Sequence, residues 1–282
     1  MPNFEFFVSR HSKKLKKEEK GYEKYPGLSK EGIELARERG LKEVLDFIEK
    51  TEPNSVIFLG GASEISRTKS TLRIYSETLK EILKKEPEKY LIIDQNKIVD
   101  PKKSYSKIVE EVLKEIQENP NKKVVIDFPL FLKQFSLIKH GWLNKKGEYS
   151  DYFKKLTEIY GKDAEKMFEL WLKTGGKIEN IKGPSPQEIA KDYLEGIKRL
   201  KRFLQKFIKD RPIAIGIVGH SWELDALITY LSTGKVDLEN FKKVCGDETI
   251  KETELSSVSI KGNKLKLSYR GKVFEKSLNY PL

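Results

Sequence analysis

The sequence predicts an α/β fold, a three-layer α/β/α sandwich around a mostly parallel central sheet. Two observations carry that expectation. Short apolar runs at Asn3–Val8 (NFEFFV), Ser55–Leu59 (SVIFL), Tyr90–Ile93 and Ile213–Val218 read as strands, and longer stretches of helical periodicity separate them. Strands alternating with amphipathic helices pack as a parallel-rich sheet covered on both faces.

The first run ends at Ser9-Arg10-His11. Ser29 stands where it can cap a helix reaching about Lys50, with Ile33, Ala36, Leu41, Val44, Leu45 and Ile48 as its apolar stripe. SVIFL stops at Gly60-Gly61, and a helix follows from about Glu64 to Lys84. Beyond Ile93 the pattern changes. Residues 101–185 read as an inserted, mainly helical cap. It holds a helix near Ser106–Gln117, an apolar stretch at Val124–Phe128 and a long helix near Asp151–Lys173, among the turn-forming stretches NPNKK, KHGWLNKKGEY and KTGGKIENIKGPSP. Pro186–Ile208 is a long amphipathic helix, Ile213–Val218 a strand, and another helix begins near Ser221. The tail LSSVSIKGNKLKLSYRGK alternates and turns at Gly262-Asn263, as a hairpin would. No repeat is evident, so one domain over residues 1–282 with an insertion is the economical organisation.

Composition narrows the class. No apolar run approaches the roughly 18 residues needed to span a bilayer, and the N-terminus places its apolar run before its charges, the reverse of a secretory signal. The single cysteine, Cys245, rules out a disulfide framework and fits a reducing cytoplasm. The net charge of +12 suits an anionic partner, but most lysines sit beside glutamates at helix-face spacing, as in KKLKKEEK, which describes a solvated surface. The aromatic-plus-basic motifs of a dedicated RNA-binding module are missing, and the sequence does not speak to oligomeric state.

Sheets of this kind bind ligands outside the carboxyl ends of their strands. Three such ends carry polar residues: Arg10-His11, the Gly60–Arg67 segment and Gly219-His220, which together hold two of the chain's three histidines. A lone loop histidine is usually a surface residue; two at strand ends are a stronger signal. Other chemistries fit poorly. No G-x-x-x-x-G-K-[ST] loop occurs, and one cysteine with three scattered histidines offers no metal spacing. Gly219-His220-Ser221-Trp222-Glu223 mimics a nucleophile elbow but lacks its last glycine, and no histidine follows His220 in the chain.

Four segments in order then resemble one family. Arg10-His11 resembles the Arg-His signature of the phosphoglycerate-mutase-like histidine phosphatase superfamily. Leu28-Ser29-Lys30-Glu31-Gly32 with Ala36 resembles its L-[ST]-x-x-G-x-x-x-A segment. Ser63, Arg67 and Thr71 match its S-x-x-x-R-x-x-x-T helix, and Val218-Gly219-His220 the strand end bearing its second histidine. The likeness spans most of the chain outside residues 101–185.

That resemblance implies hydrolysis of a phosphomonoester or phosphoamidate through a phosphohistidine on His11, without metal or cofactor, on a small anionic substrate. Neutral imidazole escapes the repulsion a phosphate dianion exerts on an anionic nucleophile. Arg10 and Arg67 would keep His11 neutral and pair with the phosphoryl oxygens, and His220 would add a donor. Ser63 is expected to cap the helix presenting Arg67. Ser12 stands where glycine is usual, beside the phosphate. Lys13, with Lys14, Lys16 and Lys17, would steer an anion. Asp100, in Ile98-Val99-Asp100, resembles the family's acid segment and is the first choice of proton donor. Asp94 and Glu223 are the alternatives, because Ser221 replaces the carboxylate that directly follows the second histidine in some members. Glu223 is also a candidate substrate contact, whereas His140, in KHGWLN, could touch substrate from the cap but reads first as a loop residue. A mutase is the nearest enzymatic alternative. A degenerate member binding an anionic ligand or nucleic acid is the non-enzymatic one.

Overall fold

The computed structural model describes residues 3–16, 18–94 and 103–278. Lys17 and Asp100 lie outside them. Eight strands form one sheet in the order β10-β9-β8-β1-β7-β2-β4-β3. The five strands β1 (Phe4–Arg10), β7 (Ile213–Gly219), β2 (Val56–Ala62), β4 (Lys123–Phe131) and β3 (Tyr90–Ile93) run parallel. Beside β1, the strands β8 (Leu255–Lys261), β9 (Lys264–Tyr269) and β10 (Lys272–Ser277) extend the sheet antiparallel.

Period-two alternation divides the apolar side chains between two cores, one on each face of the sheet. Phe6, Val8, Phe58, Ile126, Ile215 and Ile217 enter one, and Phe7, Ile57, Leu59, Val125, Ala214 and Val218 the other. Each fully buried Val, Leu, Ile or Phe contributes about 1.5–3 kcal/mol, which holds the strands in register. The second face is covered by α1 (Lys30–Leu35), a π-helical turn at Ala36–Gly40, α2 (Leu41–Lys50) and α3 (Ser66–Leu83). Ser29 caps α1 as expected, accepting from Gly32 N at 3.0 Å. The first face packs on α4 (Tyr105–Gln117), α8 (Pro186–Phe207) and α9 (Ser221–Thr233).

Two expectations change. Val124–Phe128, assigned to the insertion, lies within β4 between β2 and β3, where Val124, Val125 and Ile126 are buried from both sides. A run buried on both faces suits a sheet interior, so the expected insertion is interrupted by β4, and its stretch beyond the sheet begins after Phe131. The helix expected over Asp151–Lys173 is two, α6 (Asp151–Tyr160) and α7 (Ala164–Thr174), after the short α5 (Leu137–His140). Gly161 ends α6 at φ 62°, and the Asp163 side chain caps α7 by accepting from Lys166 N at 3.1 Å. A two-stranded ribbon, β5 (Lys177–Ile178) and β6 (Ile181–Lys182), follows. Trp142, Tyr152, Phe168 and Trp171 of this region belong to the same buried cluster as the first face of the sheet. The helix α10 (Leu238–Cys245) and the strand β10 gave no sequence signal. The first is eight residues long, and the second is mostly exposed on both faces. Among the described residues, no helix is long and apolar enough to cross a membrane.

The segment after β1 is clamped to α1. Ser12 Oγ donates to Gly32 O at 2.6 Å, and Ser29 N donates to Lys13 O at 3.2 Å. A Cβ at Gly32 would overlap the Lys13 carbonyl, which explains the glycine of the Leu28–Gly32 segment. Gly32→Ala is expected to cost roughly 1–3 kcal/mol of stability through overpacking, measured by urea denaturation.

Candidate active site

The site stands at the carboxyl ends of β1, β7 and β2. Arg10 pairs with Gly219 in the last rung of β1 and β7, and His11 N donates to Gly219 O at 3.0 Å. His11 and His220 therefore leave adjacent strand ends together, with ring centroids 5.1 Å apart. In β2 the register shifts between Leu59 and Gly61 against both neighbours, an irregularity of the kind that re-aims a strand end.

The hydrogen bonds fix the protonation of both rings. Arg67 Nε donates to His11 Nε2 at 2.9 Å, so Nε2 carries a lone pair. His11 Nδ1 lies 2.7 Å from Ser12 O, and a carbonyl only accepts, so Nδ1 bears the proton. Arg67 Nη2 lies 3.2 Å from His220 Nδ1, which must accept. His220 Nε2–H then donates to Ser63 Oγ at 2.9 Å, and Ser63 donates to Thr68 Oγ1 at 3.0 Å, whose own proton goes to Ile65 O at 2.8 Å.

Each residue of the Ser63, Arg67, Thr71 pattern thus has its own task. Arg67 reaches both histidines. Thr71 Oγ1 accepts from Ser12 N at 3.0 Å and donates to Arg67 O at 2.9 Å, tying the His11 segment to α3. Ser63 does not cap α3. Ile65 is the N-cap residue, without a side-chain bond, because the Ser63 hydroxyl is taken by His220 and Thr68.

Burial, then the charge of Arg67, push the His11 pKa down to about 3; the Ser12 carbonyl works the other way. Arginine was the cause expected from sequence, but burial is the larger one. His220 is also held well below its ordinary value, first by burial, then by His11 and Arg67. Both rings are neutral at physiological pH. Arg10 directs Nη1 to Ile250 O at 2.8 Å and Nη2 to Glu252 Oε1 at 2.9 Å, while its Nε is buried with no hydrogen-bond partner among the described residues.

Other candidates are deployed differently. Ser12 is fully buried with its hydroxyl on Gly32 O, facing the helix rather than the histidines. Lys13 pairs with Glu31 at the surface. Glu223 is 1% exposed, and both its oxygens are engaged: Oε1 lies 2.6 Å from His140 Nδ1, and Oε2 accepts from Tyr193 OH at 2.7 Å. It braces the interior, each oxygen already held by a partner. Asp94 follows β3, four places from β1 in the sheet, about 19 Å at ~4.8 Å per strand. Asp100, the first choice of acid, is outside the described residues. Among the described residues, no group of three or more His, Cys, Asp and Glu side chains could hold a metal ion.

Sequence reading passed over Glu64, whose Oε1 accepts from Ser136 Oγ at 3.2 Å and Ile138 N at 3.0 Å, fastening the β2–α3 loop to α5. It also took His140 for a loop residue, though its side chain is 2% exposed. Both bonds join residues more than 70 positions apart, a separation that no local pattern encodes.

The unfolded chain protonates His11 near 6.5 and the folded protein only near 3. Between those values the unfolded state binds more protons, so this group's contribution to stability is lost as pH falls from 6.5 toward 3. His11→Asn should therefore show a shallower loss of stability than wild type between pH 6 and 4, measured by denaturant midpoints.

No family model matches the chain, and no curated protein matches it. Solved structures do. A putative alpha-ribazole-5'-P phosphatase from Escherichia coli K-12 is 15% identical with a TM-score of 0.42, over 98% of this chain and 96% of that one. The alpha-ribazole phosphatase from Shigella flexneri is 15% identical with a TM-score of 0.43, over the same shares, 98% and 96%. A mycobacterial glucosyl-3-phosphoglycerate phosphatase is 12% identical with a TM-score of 0.43, over 100% of both chains. These are distant likenesses of the whole chain, and the chemistry of the site rests on its own residues.

Proposed function

We propose that this protein is a phosphatase that hydrolyses a small phosphomonoester or phosphoamidate through a phosphohistidine on His11. One observation carries the reading: His11 has its proton committed to Ser12 O and its Nε2 lone pair directed at Arg67, beside a second neutral histidine. A neutral nitrogen nucleophile inside a cation-lined recess suits attack on a dianionic phosphoryl group.

The steps follow from those atoms. Phosphoryl oxygens draw Arg67 off Nε2 and onto themselves, freeing the lone pair. His11 Nε2 attacks phosphorus, and the bond from phosphorus to the leaving oxygen or nitrogen breaks. The Ser12 carbonyl, accepting from Nδ1–H, stabilises the charge that grows on the ring. Arg10 Nε, buried and without a partner among the described residues, is a donor for another phosphoryl oxygen. Water then attacks the phosphohistidine while giving a proton to the carboxylate that protonated the leaving group, inorganic phosphate leaves, and His11 is regenerated. The leaving group takes its proton from Asp100, the carboxylate its motif implies, since Glu223 is engaged and Asp94 is distant.

Residues 132–185 act as the cap in this reading. Two contacts support it: Glu64 holds Ser136 and the Ile138 amide, and His140 meets Glu223. A cytoplasmic setting suits the single, buried Cys245.

The test is p-nitrophenyl phosphate hydrolysis in EDTA by wild type and His11→Ala. Turnover that vanishes in the variant is expected. Phosphate binding without turnover would instead favour a binding protein, and activity that needs an added divalent metal would overturn the metal-free route. Arg67→Ala should lower kcat/KM by on the order of 10³-fold. Asp100→Asn should slow alkyl phosphates far more than p-nitrophenyl phosphate, whose leaving group needs little acid help; equal losses on both would remove Asp100 from the acid role.

A further inference from the structure

Arg10 is held by a part of the chain that does not itself reach the histidines. Residues 250–254, between α10 and β8, wrap its main chain and side chain together. Arg10 N donates to Glu254 O at 3.3 Å, and Thr253 N donates to Arg10 O at 3.0 Å. The guanidinium rests on Ile250 O at 2.8 Å and Glu252 Oε1 at 2.9 Å. Thr253 sits at φ 62°, a left-handed conformation that a β-branched residue adopts only where its surroundings impose it.

Those surroundings converge on one side chain. Arg270, in the β9–β10 turn, directs Nη1 to Cys245 O at 2.8 Å and Glu248 O at 2.9 Å. Its Nη2 donates to Thr249 O at 2.9 Å, and its Nε and Nη2 grip the Glu254 carboxylate at 2.7 and 2.9 Å. The fully buried Asp225 adds one tie by accepting from Ile250 N at 2.9 Å. Arg270 is itself left-handed at φ 49°, followed by Gly271 at φ 72°. Glycine or asparagine is the ordinary choice for the first central position of such a turn, so here a side-chain requirement has overridden a backbone preference. The shortest path to the site is a carboxylate on Arg270 whose own residue accepts, through its main-chain oxygen, the Arg10 amide.

We propose that Arg270 is a positioning residue for the phosphate site, holding residues 245–254 in the form that orients the Arg10 guanidinium and acting on phosphate through Arg10 without touching it. This rests on the phosphatase reading above. Lysine cannot replace it, since one ammonium has three donors against the five hydrogen bonds the guanidinium makes here, and no planar fork for Glu254.

A double-mutant cycle on the full chain tests this, with Arg270→Ala, Arg10→Ala and the pair, alongside Arg270→Lys. The inhibition constant of inorganic phosphate and kcat/KM for p-nitrophenyl phosphate are measured, with thermal midpoints to follow folding. Arg270→Ala is expected to weaken phosphate inhibition on the order of tenfold. In the Arg10→Ala background the same change should alter it less than about twofold, and Arg270→Lys should behave like Arg270→Ala. Equal effects of Arg270→Ala in both backgrounds would overturn the proposal, as would an unchanged inhibition constant with only a lowered midpoint. His11→Ala in the same series separates the two readings. His11-dependent turnover with no coupling between 270 and 10 sinks the brace alone. A wild type that neither turns over nor binds phosphate sinks both.

Discussion

The parallel pairing of β1 with β7 is the constraint on which the site depends. Seven consecutive pairs, from Phe4–Ile213 to Arg10–Gly219, finish both strands at one level, and the His11 amide continues the ladder onto Gly219. Histidines remote in sequence thereby emerge side by side. A slip of one residue would turn every side chain of β1 to the opposite face of the sheet, sending Phe6 and Val8 into the core that holds Phe7. The alternation that fills the two cores is therefore what sets the active-site register. Any change that loosened this pairing would be felt first as lost packing.

The electrostatics of the site suit an anion. The hydrogen bonds of Arg67 to other side chains go, among the described residues, to imidazole nitrogens, which are neutral acceptors. Its burial lowers its own pKa, and the neighbouring charge of Arg10 adds to that, with Glu223 working the other way. Charge interactions strengthen as water is removed from such a group. Protonating either histidine would add a third positive charge to the recess. A doubly negative phosphoryl group relieves the same strain.

Much of this was legible in the chain. The apolar runs gave β1, β2, β3 and β7, Ser29 marked its cap, and the Gly262-Asn263 turn marked the β8–β9 hairpin. These are local signals, set by neighbours within a few residues. Arg10, His11, Arg67 and His220 were legible as a pattern of strand ends, and the structure gathers them in one place. What stayed hidden is carried by long-range contact. The Ser63 hydroxyl turns to His220 because β2 and β7 are neighbours, and nothing near Ser63 in sequence announces that. Glu223 looked like a free carboxylate until His140 and Tyr193 closed on it. Val124–Phe128 has the composition of a strand, but only its place between β2 and β3 distinguishes it from a buried helix segment.

The contact between Arg67 Nε and His11 Nε2 has a mechanistic consequence. In the proposed phosphatase reading, the nitrogen that would attack is covered by the group that would bind the substrate. An alcohol offers the planar fork of Arg67 a single neutral oxygen, whereas a phosphoryl dianion would present several charged oxygens to it. Binding the correct group and baring the nucleophile are then one motion of one side chain. The contact that adds to burial in keeping His11 neutral would also keep it covered until a phosphate arrives.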